Sequence, residues 1–141
     1  MNKYFIGLAI ILVSFLAVAL AFSSLNSDQT RDNTISLQWG SDLNQALQEA
    51  RTNNKSVFVD FYADWCAYCK EMDEETYRDP QVKEKLSQNY VLVKVNVDGN
   101  PDLSLKYKAY SLPTMIILDS EGNEVKRIVG YQNAERLLNQ I

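Results

Sequence analysis

Two cysteines separated by two residues are the side chains of this sequence best suited to covalent chemistry. Cys66 and Cys69 follow a short apolar run of strand character and begin a stretch of helical character. At positions i and i+3 they share one helix face and can meet disulfide geometry. Unpaired amide N–H groups and the positive dipole end at a helix N-terminus stabilise a thiolate. The pattern predicts Cys66 as the attacking thiol and Cys69 as the resolving thiol; the alternative is a pair of inert core thiols.

The rest of the composition excludes several other uses of these thiols. The 141 residues include two cysteines and no histidine, so a Cys–His or Ser–His nucleophile pair cannot form. A closed Cys/His zinc site needs four ligands, and only two thiols exist. Covalent haem attachment needs a histidine after the second cysteine, where this chain has Lys70. The formal charge of −4, with no basic cluster, argues against nucleic-acid binding.

An uncharged apolar run lies near the N-terminus. Residues 4–22 contain no charged side chain and only one aliphatic hydroxyl, that of Ser14, and Lys3 precedes them. A helix of this length would extend roughly 28 Å, close to the ~30 Å hydrocarbon core of a bilayer. The positive charges before the run favour an N-terminus on the inside. The run is either an uncleaved membrane anchor or a signal peptide with a small-residue cleavage pattern at 19–21. Both readings place the remainder outside the cytoplasm.

Composition divides the chain into three parts. Residues 1–22 are the predicted anchor or signal peptide, which forms an N-terminal hydrophobic helix. Residues 23–36 are polar and lack periodicity, which predicts a flexible linker. Residues 37–141 form the predicted domain.

Within residues 37–141, helical and strand patterns alternate. Helices are predicted over about 43–54, over 66–88 with a break near Asp79 and Pro80, from 100, and from 133 to 141. Strands are predicted over 57–62, 91–97, 115–118 and 124–129. Ser41 is the expected N-cap of the first helix. This order predicts an α/β domain whose central mixed sheet is flanked by helices.

The residues around the cysteines resemble the signature of the thioredoxin superfamily. The stretch 60–70, Asp-Phe-Tyr-Ala-Asp-Trp-Cys-Ala-Tyr-Cys-Lys, carries this resemblance together with a later Leu-Pro-Thr at 112–114. Tyr-Ala-Asp-Trp-Cys, Cys-Lys-Glu-Met and Asp-Pro-Gln-Val are similar, more narrowly, to the C-terminal periplasmic domain of the membrane reductant conductor DsbD and its free-standing membrane-anchored relatives. The resemblance covers about residues 37–141. It implies a thioredoxin fold with a redox-active Cys66–Cys69 disulfide and no other cofactor.

Three charged residues take roles from this resemblance. Asp60 matches a buried acid that moves protons to and from the second cysteine, and burial raises a carboxyl pKa toward the range of a general base. Lys94 matches a lysine near that acid. Asp73, four residues after Cys69, stands where the DsbD-type domain has a glutamate and would disfavour the thiolate. Each residue also has an alternative without a catalytic role. Asp60 would be a partly exposed acid at the end of a strand, Lys94 a surface lysine of a strand, and Asp73 a solvated acid of a helix.

A substrate-binding edge is also implied by the resemblance. Pro113 matches a cis-proline that lies opposite the disulfide in this superfamily. A cis X–Pro bond is uncommon, and where the fold fixes one it has a role. It would leave the backbone of Leu112, which precedes Pro113 and Thr114, free to pair with a substrate strand. Trp65 would shield the site or pack in the core. Gly130 would let a partner backbone approach, or simply end a strand.

The expected function is thiol–disulfide exchange with protein substrates through a mixed disulfide. The DsbD resemblance favours a reductase or electron relay supplied by a membrane electron donor of the DsbD or CcdA type. Acids at 73–75 support this direction, because they make the thiolate less stable than in a strong oxidant. We expect a monomer in the periplasm or on the outer face of the cytoplasmic membrane, anchored or secreted. The alternative is a non-catalytic tethered chaperone or Cu(I) carrier, since thiolates suit Cu(I).

Overall fold

The computed structural model describes residues 35–141. The hydrophobic helix predicted within residues 1–22, and residues 23–34 of the predicted linker, lie outside the described residues. Residues 35 and 36 precede the first strand without regular secondary structure. Among the helices of residues 35–141, none is both long enough and apolar enough to cross a membrane.

Strands and helices alternate along the described residues. The strands are β1 (Trp39–Gly40), β2 (Ser56–Tyr62), β3 (Tyr90–Asn96), β4 (Thr114–Leu118) and β5 (Glu124–Val129). The α-helices are α1 (Leu43–Asn53), α2 (Ala67–Glu74), α3 (Pro80–Asn89), α4 (Pro101–Lys106) and α5 (Ala134–Leu138), and a 3-10 turn (Thr76–Arg78) connects α2 with α3. The predicted order of elements is confirmed, except that β1 was not predicted. Two residues are too few to show the alternation that indicates a strand.

The strands form one mixed sheet in the order β1-β3-β2-β4-β5. β3 pairs in parallel with β1 and β2, whereas β4 is antiparallel to both β2 and β5. β2 is central, and its residues 57–61 are all buried. A strand covered by helices on both faces reads as a nearly continuous apolar run, which is why this strand was recognisable in the sequence. The mixed sheet flanked by helices confirms the predicted thioredoxin fold.

Each face of the sheet carries its own apolar cluster. One cluster joins alternate strand residues, among them Val59 and Val93, to the buried face of α1. The other joins Phe58 and its neighbours to Met72 of α2 and to buried residues of α3 and α5. Because side chains alternate along a strand, Asp60 points to the same face as Phe58. This second face, covered by α2, therefore positions the charged residues of the site.

The predicted N-cap of α1 was wrong by one residue. α1 begins at Leu43, and its N-cap is Asp42 rather than Ser41. The Asp42 carboxylate accepts hydrogen bonds from the backbone N–H groups of Asn44 at 2.8 Å and Gln45 at 3.1 Å. Both residue types are favoured at N-caps, so local sequence did not distinguish them.

The helix that follows the cysteines ends earlier than predicted. The break at Asp79 and Pro80 is confirmed, because Asp79 caps α3 and Pro80 begins it. However, α2 already ends at Glu74, and the 3-10 turn fills the interval. The Thr76 hydroxyl donates to the carbonyl of Gln132 at 2.7 Å. This contact ties the turn to the segment after β5, a partner that is remote in sequence.

Candidate active site

The two cysteines lie at the junction between β2 and α2. Cys66 is the N-cap of α2, with extended backbone, and its Sγ accepts the N–H of Cys69 at 3.1 Å. The Sγ atoms form a disulfide, and the Cα atoms are 5.3 Å apart. Both side chains are buried. The prediction that Cys66 and Cys69 share the N-terminal turn of a helix is therefore confirmed.

An apolar shell surrounds the disulfide. Ala63 and the two cysteines form a buried cluster, against which the side chains of Tyr62, Val97 and Leu112 pack. These side chains shield the two sulfur atoms from water on the side that faces the core. Exchange with a partner therefore takes place on the side that faces solvent.

Two residues next to the cysteines in sequence have exposed aromatic side chains. Trp65 is 70% exposed and Tyr68 is 60% exposed. The indole Nε1 of Trp65 donates to Asp98 at 2.9 Å, and the rings of Tyr68 and Tyr131 lie 6.1 Å apart. Trp65 is thus not a core residue. Large apolar surface held next to a reactive group is suited to contact with a partner.

The loop before β4 places Leu112, one of the predicted substrate-binding residues, against the disulfide. The Leu112–Pro113 peptide bond is cis, and Leu112 packs on the cysteine cluster. Gly130 donates its N–H to the Pro113 carbonyl at 2.8 Å and has φ +84°, a conformation that favours glycine. Thr114 is buried, and its hydroxyl donates to the Ser111 carbonyl at 2.6 Å. The Thr114 side chain therefore closes the loop, while Leu112 remains partly exposed.

Three predicted charged residues meet on the sheet face that α2 covers. Asp60 is 2% exposed, and its register partner in β3 is Lys94. The Lys94 Nζ lies 3.4 Å from Asp60 Oδ2 and also forms an ion pair with Asp73, whose side chain is 45% exposed. One lysine therefore bridges a buried acid and an acid that reaches solvent.

Burial raises the pKa of Asp60 to about 6, from an ordinary value of 3.8. Lys94 opposes this rise, because its positive charge stabilises the carboxylate of Asp60. Asp73 adds to the rise, because its negative charge repels that carboxylate. A carboxyl that titrates this close to neutral pH can both accept and release a proton under working conditions.

Aromatic rings surround the Lys94 ammonium. Its Nζ lies 5.1 Å from the ring centroid of Tyr62, 5.3 Å from that of Trp39 and 5.5 Å from that of Tyr77. Such rings attract a cation through their quadrupole. They therefore help to hold Lys94 between the two acids.

Sequence reasoning missed three residues of this environment: Trp39, Tyr77 and Asp98. Tyr77 had a signal, because it lies four residues after Asp73, as Asp73 does after Cys69. Trp39 had none, because β1 meets β3 through a pairing of strands some fifty residues apart. In residues 35–141, no three or more cysteine or acidic side chains converge as metal ligands would.

Known proteins are similar to this chain in sequence and in fold. The family of thioredoxin-like domains matches residues 43–141. The thiol:disulfide interchange protein DsbD of Tatumella citrea is 40% identical in an alignment of 103 residues, which covers 69% of this chain and 17% of that protein. DsbD of Escherichia coli K12 is 37% identical in an alignment of 123 residues, which covers 82% of this chain and 21% of that protein. The chain thus spans about a fifth of the length of these curated relatives.

Solved structures agree with the sequence relatives. A thioredoxin from Thermus thermophilus has a TM-score of 0.66 and 28% identity, over 74% of this chain and 83% of that one. The oxidised C-terminal domain of Neisseria meningitidis DsbD has a TM-score of 0.58 and 27% identity, over 72% of this chain and 95% of that one. With its strand–CxxC–helix junction and matching fold, the chain belongs to the family of thioredoxin-like domains and resembles the C-terminal domain of DsbD.

Proposed function

We propose that this protein is an extracytoplasmic thiol–disulfide oxidoreductase that reduces protein disulfides or relays electrons to them. The observation that carries the proposal is the Cys66–Cys69 disulfide at the N-terminus of α2. The buried Asp60 with its Lys94 partner supplies a group for proton transfer. Similarity to the C-terminal domain of DsbD supports the reducing direction.

In the reducing direction, the Cys66 thiolate attacks one sulfur of a substrate disulfide. A bond from Cys66 to that sulfur forms, the substrate S–S bond breaks, and the leaving thiolate takes a proton from solvent. Asp60 then accepts the proton of the Cys69 thiol, and the Cys69 thiolate attacks Cys66 Sγ. The bond between Cys66 and the substrate breaks as the Cys66–Cys69 disulfide forms, and the substrate sulfur that was bonded to Cys66 leaves as a thiolate that takes a proton. The substrate has gained the two electrons that the cysteines have lost.

The surface beside the disulfide is suited to an extended protein segment. Leu112 packs on the cysteine cluster, which puts its backbone beside the disulfide, where a substrate strand can pair with it. Trp65 and Tyr68 offer exposed ring surface next to the cysteines. A Cβ built on Gly130 would meet no atom within 4 Å, which leaves room for a partner there.

The electrons return from a membrane donor of the DsbD or CcdA type in this proposal. Support comes from the similarity to a DsbD domain and from the apolar run of residues 4–22, which would anchor the domain or export it. The domain then acts as a monomer on the outer side of the membrane, between this donor and its protein substrates.

Trapping of mixed disulfides tests the proposal. Reduced Cys69→Ala should accumulate a covalent adduct with a protein disulfide such as insulin, because the resolving thiol is gone. Cys66→Ala is the matched control and should form none, while the parent should reduce insulin without a lasting adduct. Mass spectrometry of the quenched mixtures measures the adduct.

Equal adducts from both variants would reject the assigned roles. Tight Cu(I) binding without insulin reduction would instead favour a copper carrier. The direction is tested by the reduction potential: a value near the roughly −120 mV of DsbA, rather than the roughly −270 mV of thioredoxin, would reject a reductase.

A further inference from the structure

Two buried side-chain polar atoms within residues 35–141 have no hydrogen-bond partner. They are Oδ1 of Asp60 and the hydroxyl oxygen of Tyr77, on side chains that are 2% and 4% exposed. An unpaired buried polar atom opposes folding, so its presence calls for a reason. One atom is an acceptor and the other carries a donor. The two side chains are neighbours: the Lys94 Nζ lies 3.4 Å from Asp60 Oδ2 and 5.5 Å from the centroid of the Tyr77 ring.

Each element packed around Asp60 presents a different group to it. β3 contributes Lys94, which contacts Oδ2, and α2 contributes Asp73, which is paired with that lysine. β4 contributes the apolar Met115, the register partner of Asp60. The 3-10 turn contributes Tyr77. Lys94 is paired with the other oxygen, Oδ2, so the Tyr77 hydroxyl is the remaining donor among these groups for Oδ1.

The Tyr77 ring is held in place on several sides. It packs edge-on against Trp39 at 5.1 Å and against Phe58 at 6.5 Å between ring centroids. The Thr76 hydroxyl anchors the turn to the Gln132 carbonyl. Burial raises the pKa of Tyr77 well above its usual range, so its hydroxyl keeps its proton. The phenol is therefore a fixed, neutral donor.

We propose that Tyr77 is a positioning residue for proton transfer, whose hydroxyl donates to Oδ1 of the charged Asp60 and orients that carboxylate. Lys94 then holds one carboxylate oxygen and Tyr77 the other. The Asp60 carboxyl turns about a terminal torsion with broad energy wells, so its oxygens can adjust their direction toward the hydroxyl. A hydroxyl can also accept a hydrogen bond, whereas an ammonium cannot. The bond that Tyr77 donates to the charged carboxylate is nevertheless the stronger one, because it is charge-assisted, so Tyr77 favours the charged form of Asp60.

The inference rests on the proposed function for its effect on exchange, but the hydrogen bond itself is a property of the resting oxidised protein. Tyr77→Phe removes one oxygen and keeps the ring, with its packing and its contact to Lys94. Tyr90→Phe is the matched control. It removes a hydroxyl from the same cluster, four residues from Lys94 along β3, or roughly 13 Å.

Carbon-13 NMR of the Asp60 carboxyl in the oxidised protein measures the bond directly. The titration midpoint should move up by roughly one pH unit in Tyr77→Phe, because the charged form loses a donor. Tyr90→Phe should leave the midpoint in place. An unchanged or lower midpoint in Tyr77→Phe would overturn the inference.

Stopped-flow measurement of exchange gives the second readout. The acid side of the pH profile for the Cys69 step should move up by the same amount in Tyr77→Phe, while attack by Cys66 keeps its profile. A uniform loss of rate with the profile in place would show a merely structural role and overturn the inference. If the parent exchanged no disulfides, the proposed function would fail, and the carboxyl titration would still decide whether the hydrogen bond exists.

Discussion

The buried carboxylate of Asp60 destabilises the folded state. It is 2% exposed, one of its oxygens has no hydrogen-bond partner, and only Lys94 lies close enough for an ion pair among the described residues. Burying a charge with incomplete pairing is destabilising. Proteins retain such groups where chemistry needs a shifted pKa, and Asp60 lies on the sheet face that the cysteine helix covers.

We predict that Asp60→Asn stabilises the oxidised protein at neutral pH. The folded pKa of about 6 exceeds the ordinary 3.8, so the folded state binds the proton more tightly than the unfolded chain does. Asp60 therefore destabilises the fold fully above about pH 6, and this effect disappears as the pH falls below 3.8. The difference amounts to about 3 kcal/mol. Urea denaturation at pH 7 and pH 4 should show the advantage of the variant shrinking by most of that amount, or about 2.4 kcal/mol.

An exposed acid provides the control for this titration. Asp102→Asn changes the same functional group in α4, and its effect on the free energy of unfolding should stay within ~0.5 kcal/mol. If the Asp60→Asn advantage were the same at pH 7 and pH 4, the folded protein would accommodate the charged carboxyl without cost. The acid would then be an ordinary ion-pair partner of Lys94.

At the scale of elements, the start of α1 depends on a single side chain. Asp42 satisfies two of the N–H groups that a helix leaves unpaired at its N-terminus. Asp42→Ala should lower the free energy of unfolding by about 1 kcal/mol. Ser41→Ala, one residue earlier, should change it by less than ~0.5 kcal/mol. Chemical denaturation measures both, and equal losses would mean that Ser41 also caps the helix.

The 3-10 turn shows how a remote contact changes an element. Continuous helix from the cysteines to Pro80 would satisfy local preference, yet the chain leaves the α-helix after Glu74. The turn binds the carbonyl of Gln132 through Thr76 and directs Tyr77 into the core. The placement of the Tyr77 hydroxyl near Asp60 follows from that departure.

At the scale of the whole molecule, some elements are fully buried and others are exposed. We therefore expect the free energy of local opening to differ between elements. Residues 57–61 of β2 are buried and pair with strands on both sides, whereas α4 has no buried residue. Amides of β2 should exchange with solvent only through global unfolding, and amides of α4 through local opening. Hydrogen exchange followed by NMR should give a lower opening free energy for α4. Equal values would mean that the domain opens as one unit.

Local pattern determined much of this protein without tertiary information. The Cys66–Cys69 spacing after an apolar strand predicted the disulfide junction, and the alternation of elements predicted the mixed sheet. These features depend on neighbours within about one turn of helix or one strand, where periodicity and capping operate. The short range of these patterns also explains two errors of the sequence analysis. Local preference did not distinguish Ser41 from Asp42 as the N-cap of α1, and a two-residue strand at Trp39 is too short to produce a pattern.

Tertiary structure alone decided which side chains meet. Resemblance to the thioredoxin superfamily suggested Asp60, Lys94 and Asp73, but their contacts follow from the parallel register of β2 with β3 and from the packing of α2 over the sheet. Trp65 proved to be exposed rather than in the core, and Tyr77 entered the charged cluster through a turn fixed by a distant carbonyl. Such contacts join residues far apart in the chain. Their energies depend on burial and on distance in space, neither of which is encoded in any short stretch of sequence.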